Sequence, residues 1–355
     1  MRGLVVIFLS AFMLLSLGLM MLLSIAPDKV LPQTLFSVFS FLVGWVIFRI
    51  GIKNILPFAW VAYIAVLILL SLTLLFGKTA KGSSRWLKVG EFQLQASELA
   101  KPILLLITVS LVENAWPVIL KKQVKLLVKY ILAALLPFGL VLLQPDLGSA
   151  LILAAISVWI IIASSPPKRL IIWLIAITIV FMPLAKFGLK DYQLQRLQSF
   201  IDPYSDPLGT GYHVIQSTIA VGSGGIFGRG LGYGTQGKLR FLPERQTDFI
   251  FANLVEELGL AGGVMVIGLY SVIVGVCLWG AVKSRKSEER LILSGIGVWL
   301  FFQTTVNIAM NLGIMPVTGV TLPLLSYGGS SLLSSAITFA LAFSAIMNRE
   351  FGSWG

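Results

Sequence analysis

Apolar residues dominate this chain in long runs separated by short polar stretches, near residues 4–25, 34–52, 56–76, 97–113, 126–143, 147–164, 169–187, 249–282, 291–312 and 324–347. Runs of this length with polar flanks predict helices long enough to cross the ~30 Å hydrocarbon layer of a bilayer, at ~1.5 Å rise per residue. The first run is too long for the apolar part of a signal peptide, and no small-x-small cleavage site follows it, so it is expected to be a span. The fifth and sixth runs are joined only by Gln144-Pro145-Asp146-Leu147-Gly148, a tight turn that forces an antiparallel pair. Between the seventh and eighth lies a polar, glycine-rich stretch, 188–248, with too few apolar residues to fold alone; it is expected to pack on the helices. The predicted fold class is an all-α polytopic integral membrane protein of about ten transmembrane helices. It forms one domain over 1–355, with 188–248 as a large extracytoplasmic loop.

Composition agrees. The 355 residues are 57% hydrophobic and 12% charged, with mean hydropathy +0.92, against about 25% charged in a soluble domain. The single Cys277 lies inside an apolar run, so no intrachain disulfide can form. The net charge of +12 is no sign of nucleic-acid binding, because the cations sit in short loops between spans. About half of the 27 follow the positive-inside trend if both termini are cytoplasmic. The rest fall outside: Lys29 in the short turn 26–33, and the others in 77–101 (Lys78, Lys81, Arg85, Lys88, Lys101) and in 186–248 (Lys186, Lys190, Arg196, Arg229, Lys238, Arg240, Arg245). Long outer segments translocate regardless of charge; alternatively, these cations hold an anionic ligand at the outer face.

Several stretches carry candidate chemistry. Arg85-Trp86 suits an interfacial anchor. Glu98 and Lys101, three apart at the start of a span, share a helix face and can pair, either as a structural salt bridge or as the charged wall of a cavity. Asp146 can cap the helix that follows it or serve as a second carboxylate near a site. The glycines of 222–236 could form a nest of N–H groups for phosphate, though glycine-rich turns are common and no Walker or dinucleotide fingerprint is present. His213 is the only histidine, which excludes a His-rich metal site and any Ser-His-Asp triad in which it is not the base. Gln303, Asn307 and Asn311, four apart, suit helix–helix contacts in lipid. Met315 to Ser331 reads as a broken or re-entrant segment, tolerated only beside protein or water. In Phe241 to Phe251, F-L-P-E-R-Q-T-D-F-I-F, the polar loop runs into an apolar run, and Asp248 at that boundary is costly to desolvate unless it is used.

Taken together, R-W-L at 85–87, S-E-L-A-K at 97–101, Q-P-D-L-G-S at 144–149, F-L-P-E-R-Q-T-D-F-I-F at 241–251 and P-L-L-S-Y-G-G-S-S at 323–331 resemble the SEDS (shape, elongation, division, sporulation) family of bacterial membrane proteins over nearly the whole chain. Within it the chain looks more like the RodA branch, through G-Y-H-V-I-Q-S and G-S-G-G-I-F-G-R-G, than like the FtsW branch, although T-L-P-L-L-S-Y-G-G-S-S is closer to the latter. Ala96 departs from the usual Q-P-S-E, and Gln246 stands where RodA proteins usually carry His. The resemblance implies a peptidoglycan glycosyltransferase of the cytoplasmic membrane that polymerises lipid II at its outer face for elongation and rod shape. It implies a class B penicillin-binding protein as partner and an undecaprenyl-linked glycan as product. Asp248 is then the expected catalytic base. Arg85, Trp86, Glu98, Lys101, Asp146, Arg196, His213, Gln216, Arg240, Glu244, Arg245 and Ser326 are the expected substrate-binding residues. A divalent cation, Mg²⁺ or Mn²⁺, could share the charge stabilisation with the arginines, but no ligand cluster shows it. The alternatives are a lipid II flippase or transporter, which midplane charges would favour, a division polymerase of the FtsW kind, and a scaffold that only recruits the penicillin-binding protein.

Overall fold

The computed structural model describes residues 2–80, 83–89, 92–112, 115–166, 191–207, 209, 211–239 and 241–351. Its helices are α1 (Arg2–Ile25), α2 (Val30–Ile50), α3 (Ala59–Phe76), α4 (Ala96–Val112), α5 (Ala115–Leu143), α6 (Leu147–Ala163), α7 (Asp191–Ile201), α8 (Tyr212–Ser223), α9 (Ile250–Lys283), α10 (Ser287–Asn311) and α11 (Gly329–Phe351). The expected span at 169–187 lies outside the described residues. Among those described, six helical stretches are long and apolar enough to cross a membrane, and α6 and the second half of α5 are shorter apolar helices. The architecture is therefore polytopic and helical, as the apolar runs predict.

One element was not expected. Lys78–Ala80 (β1), Ser83–Val89 (β2) and Phe92–Leu94 (β3) form an antiparallel meander in the order β1-β2-β3, with Lys78 opposite Trp86 and Leu87 opposite Leu94. It fills the link between α3 and α4 and carries Arg85.

The helices divide by exposure. Large apolar side chains of α1, α2 and α3 are turned outward, as Phe12, Phe41 and Phe76 show, whereas α10 is buried through Ile292, Leu293, Ile296, Trp299 and Leu300. Helix α1 belongs to the bundle: a Cβ on Gly18 would lie 2.5 Å from the Leu325 carbonyl. The polar segment before α9 packs on the helices, as expected. Ser217 of α8 donates to the Asn311 carbonyl at 2.7 Å, and Ala220, Leu242, Phe249 and Ala252 form a small core of their own.

Helix α9 is broken at Gly259, where φ is 73° and ψ −171°. A break inside a membrane helix orphans backbone groups that lipid cannot satisfy. Here the glycine-rich segment closes it. Leu260 N donates to Gly225 O at 2.9 Å and Ala261 N to Ile226 O at 3.1 Å, while Arg229 N and Gly230 N donate to the carbonyls of Glu256 and Glu257 at 3.0 Å each. The two chains are so close that a Cβ on Gly259 would lie 2.3 Å from Gly228 N and from Ile226 O.

Two substitutions in the same helix separate this contact from ordinary glycine effects. Gly259→Ala places a side chain at positive φ against backbone, and should cost at least about 1–3 kcal/mol. Gly275 has nothing within 4 Å of a built Cβ, so Gly275→Ala should be neutral or stabilising by up to about 1 kcal/mol. Melting temperatures of the two purified variants check the contrast; equal melting would show that the junction is not a tight one.

Candidate functional site

The site is built where two non-helical segments, 241–249 and 312–328, meet at the end of α10. Asp248 lies two residues before α9, and its backbone is held by α10. The side-chain amides of Asn307 and Asn311 both donate to the Asp248 carbonyl at 3.0 Å. Asn307 donates as well to the Val320 carbonyl at 2.6 Å, and the side-chain Oδ1 of Asn311 accepts Ala252 N, in the first turn of α9, at 3.0 Å. The residues expected to serve helix–helix contacts therefore tie loop backbone to a buried helix. From the other segment, the Ser326 hydroxyl donates to Thr247 O at 2.7 Å and accepts Leu322 N at 2.9 Å, and Tyr327 N donates to Gln246 O at 2.8 Å. Gln33 of α2 clamps this segment in turn, donating to Ser326 O and accepting Gly328 N.

The side chain of Asp248 is half-buried. A Cβ built on Gly319, whose φ is +76°, would lie 3.5 Å from Oδ2 of Asp248 and 3.5 Å from Nη1 of Arg85. The carboxylate and the guanidinium thus flank a glycine notch. Burial pushes the Asp248 carboxyl up from 3.8 to about 6 and the nearby Glu244 carboxylate adds to the rise; Arg85, a hydrogen bond from Thr247 and Arg196 oppose it. Arg85 is steadied by donating Nη2 to the Pro145 carbonyl in the α5–α6 turn, and its buried Nε has no protein partner among the described residues.

The other expected site residues fall into two groups. Near Asp248 lie Arg196, which donates Nη1 to Val317 O at 3.2 Å, and His213, whose ring stacks on Phe249 with centroids 6.0 Å apart. Gln216 is half-buried one turn further along α8. Glu244 is exposed, and its carbonyl accepts Thr247 N and Phe249 N; Arg245 is half-buried, with its carbonyl taken by Asn253. Arg240 lies outside the described residues.

The second group is inside the fold. Lys101 is fully buried, with Nζ 2.6 Å from Glu98 Oε1 and 3.0 Å from Gln303 Oε1. Gln303 also accepts from Trp299 and donates to Thr321 O, so the pair reaches the 312–328 segment through α10. Asp146 caps α6 by accepting Ser149 N, and it accepts Gln95 and Ser97 as well. Ser326 is buried with its hydroxyl committed to backbone. These four were expected to touch substrate; in the structure they hydrogen-bond to protein. Trp86 is half-buried on β2 next to Arg85.

The glycine nest requires a correction. Thr235 N and Gln236 N donate to the Glu256 carboxylate and Gly232 N to that of Glu257, so these donors are spent on carboxylates of α9 and are not offered to phosphate. Sequence reasoning missed Glu256, Glu257 and Gly259. The signal was V-E-E-L-G inside the eighth apolar run, two carboxylates and a glycine where lipid would reject them. Among the described residues no three His, Cys, Asp or Glu side chains cluster as metal ligands.

An apolar groove of about 600 Å³ opens between α1, α2 and α11, lined by Phe8, Phe12, Phe41, Trp45 and Phe343. Its wall includes Leu324, in the same segment as Ser326.

The likeness to known proteins runs along the whole chain. The family model described as "Cell cycle protein", for FtsW, RodA and SpoVE, matches residues 2–350. An Escherichia coli protein named peptidoglycan glycosyltransferase MrdB is 41% identical over 290 residues, 81% of this chain and 77% of that protein. A Coxiella burnetii protein named probable peptidoglycan glycosyltransferase FtsW is 36% identical over 313 residues, 84% of this chain and 81% of that one. Among solved structures, a chain from a peptidoglycan synthase complex that coordinates polymerisation and crosslinking matches with TM-score 0.81 and 34% identity, covering 97% of this chain and 98% of that one. The Thermus thermophilus rod shape determining protein RodA matches with TM-score 0.71 and 28% identity, covering 97% and 96%. With its polytopic helices, its buried α10 and its Asp248 site, the chain belongs to the FtsW/RodA/SpoVE family of cell cycle proteins, as a multi-pass protein of the bacterial cytoplasmic membrane.

Proposed function

We propose that this chain is a peptidoglycan glycosyltransferase that polymerises lipid II at the outer face of the membrane, in the elongation role of RodA, beside a class B penicillin-binding protein that cross-links the product. The observation that carries the reading is Asp248: a half-buried carboxyl raised to about 6, beside Arg85, on backbone held by two asparagines. A general base works best when its pKa lies near the working pH. The names of the E. coli and C. burnetii relatives support the activity, and the likeness to a chain of a synthase complex supports the partner.

In this mechanism a sugar hydroxyl of one lipid-linked molecule attacks the anomeric carbon of another. Asp248 takes the hydroxyl proton as the new C–O bond forms. The bond from the anomeric carbon to phosphate breaks, and undecaprenyl pyrophosphate leaves with its electron pair. Arg85 and Arg196 meet the charge that develops on the leaving group. Glu98 and Lys101 act as positioning residues through Gln303. The groove between α1, α2 and α11 offers an apolar path for one prenyl chain, starting at the segment that holds Thr247. The sequence raised transport as a rival; a carboxyl poised for proton transfer at the bundle end favours chemistry. Polymer formed from purified lipid II, with moenomycin present to silence classical glycosyltransferases, tests the reading; absence of polymer from the protein together with its transpeptidase would sink it.

Asp248→Asn keeps shape and removes basicity. Turnover of purified lipid II should fall by about 10²–10⁴-fold. Because the folded-state pKa lies above the ordinary 3.8, the ionised carboxylate opposes folding at neutral pH, so the variant should melt no lower than the wild type there.

Only the ionised form can accept a proton. The wild-type rate should therefore rise about tenfold per pH unit up to about 6 and level off above it. Arg85 lowers the Asp248 pKa, so Arg85→Gln should move that midpoint upward as well as slow turnover, and Arg85→Lys should restore the midpoint better than the rate. An unmoved midpoint in Arg85→Gln would assign Arg85 a structural role through Pro145 alone.

A further inference from the structure

The face on which the glycine-rich segment meets α9 holds buried oxygens that the protein does not saturate. Asn253 and Glu256 are both fully buried and lie one turn apart on one side of α9. Oε1 of Glu256 accepts three bonds, from Thr235 N at 2.7 Å, Thr235 Oγ1 at 3.0 Å and Gln236 N at 3.0 Å. Oε2 of Glu256 has no hydrogen-bond donor and faces Gly234, where a Cβ would lie 3.0 Å away. Asn253 turns its amide nitrogen to the carbonyls of Arg245 and Phe249, at 3.1 and 3.0 Å. That fixes the sense of the amide, since the reverse would set three oxygens together. Its Oδ1 has no donor and faces Gly237, where a Cβ would lie only 2.4 Å away. The buried Oε1 of Gln236, between those two glycines in sequence, is likewise without a donor. Glu257 adds a second carboxylate, taking Ser24 of α1 at 2.5 Å and Gly232 N at 3.1 Å.

Three unmatched acceptors in one small region narrow what can occupy it. Buried oxygens left without partners are costly. A single water brings two hydrogens and cannot satisfy all three. Among the described residues, Arg229 turns to Thr235 Oγ1 and Ser223 O, and Lys238 to Gly232 O. A metal ion instead accepts every lone pair offered, and an all-oxygen set of carboxylate and amide donors suits hard divalent cations.

We propose that Glu256 Oε2, Asn253 Oδ1 and Gln236 Oε1 bind a hard divalent cation of the Ca²⁺ or Mn²⁺ kind, its remaining positions filled by water, at the junction of the glycine-rich segment with α9. The site is separate from the Asp248 notch and does not depend on the glycosyltransferase reading. Its role is positional: Asn253, which ligates the ion through its oxygen, holds Arg245 O through its nitrogen, and so fixes the segment that leads to Asp248.

The test uses the full-length protein in detergent, stripped with chelator. Mn²⁺ is titrated while the signal of free Mn²⁺ is read by electron paramagnetic resonance, and Ca²⁺ is then added as competitor. The expected result is one Mn²⁺ per wild-type chain, displaced by Ca²⁺, with binding weakened at least tenfold in Glu256→Gln and unchanged in Asp248→Asn. Ca²⁺ should raise the melting temperature of the wild type and leave that of Glu256→Gln where it was. Should Glu256→Gln fail to fold, Gln236→Leu, checked for a wild-type circular dichroism spectrum, decides: several-fold weaker Mn²⁺ binding supports the site, and unchanged affinity overturns it. The proposal is also overturned if the wild type binds no Mn²⁺ at millimolar concentration, or if Asp248→Asn loses the ion while Glu256→Gln keeps it.

Discussion

The carbonyl oxygen of Asp248 accepts two amide N–H groups, from Asn307 and Asn311, and the geometry of the site depends on that joint. A membrane protein that brings irregular backbone to the level of its helices must hydrogen-bond that backbone to protein, because lipid will not. Asparagine does this without placing a net charge in a low-dielectric interior, where an unpaired one would be expensive. Each amide has two donor hydrogens and an acceptor, and here they are divided among separate tasks. Asn307 joins Asp248 O to Val320 O, and Asn311 joins Asp248 O to the first turn of α9. One face of α10 thereby sets the relative positions of the two non-helical segments that make the site.

The buried pair at the other end of this face extends the same device. Lys101 and Glu98 pair with each other, and Gln303 accepts a further hydrogen bond from Lys101 Nζ while it donates to Thr321 O. An isolated ion in this position would be destabilising; paired and hydrogen-bonded, it adds specificity of register more than net stability. The run Gln303, Asn307, Asn311 therefore reads as a ladder: Gln303 and Asn307 hold the adjacent carbonyls of Thr321 and Val320, and Asn307 and Asn311 share the carbonyl of Asp248.

What was legible in the sequence is what local spacing encodes. Apolar run length gives the spans, the three-residue interval pairs Glu98 with Lys101, and Asp146 before Leu147-Gly148-Ser149 has the form of a cap. Asp248 stood out because a carboxylate at the mouth of an apolar run is anomalous. What was not legible depends on tertiary partners. The interval of four placed Asn307 and Asn311 on one face, but nothing local says that the face meets loop backbone and not another helix. The meander at 78–94 is too short and too rich in polar residues to show a clear alternation. The break at Gly259 is one residue wide, so an apolar run read over many residues passes across it, and the glycines of 222–236 look like phosphate ligands until the carboxylates that occupy their N–H groups are located.

The placement of Arg85 shows how a base and a cation can be kept together without disabling the base. A guanidinium engaged directly on a carboxylate favours the charged form and drives its pKa down, which would leave a poor proton acceptor. Here Arg85 spends one nitrogen on the Pro145 carbonyl and stands across the Gly319 notch from Asp248. At that remove its attraction is felt, but it does not overcome burial and the Glu244 charge, and the carboxyl stays at about 6. The positive φ of Gly319 favours a residue without a side chain in the notch, which belongs to the 312–328 segment. That segment is itself held by Asn307, Gln303 and Gln33. Proton affinity at Asp248 is thus set by burial and by Glu244, Arg85, Thr247 and Arg196, and the buried amides of α10 act on it only by fixing the backbone that carries the carboxylate.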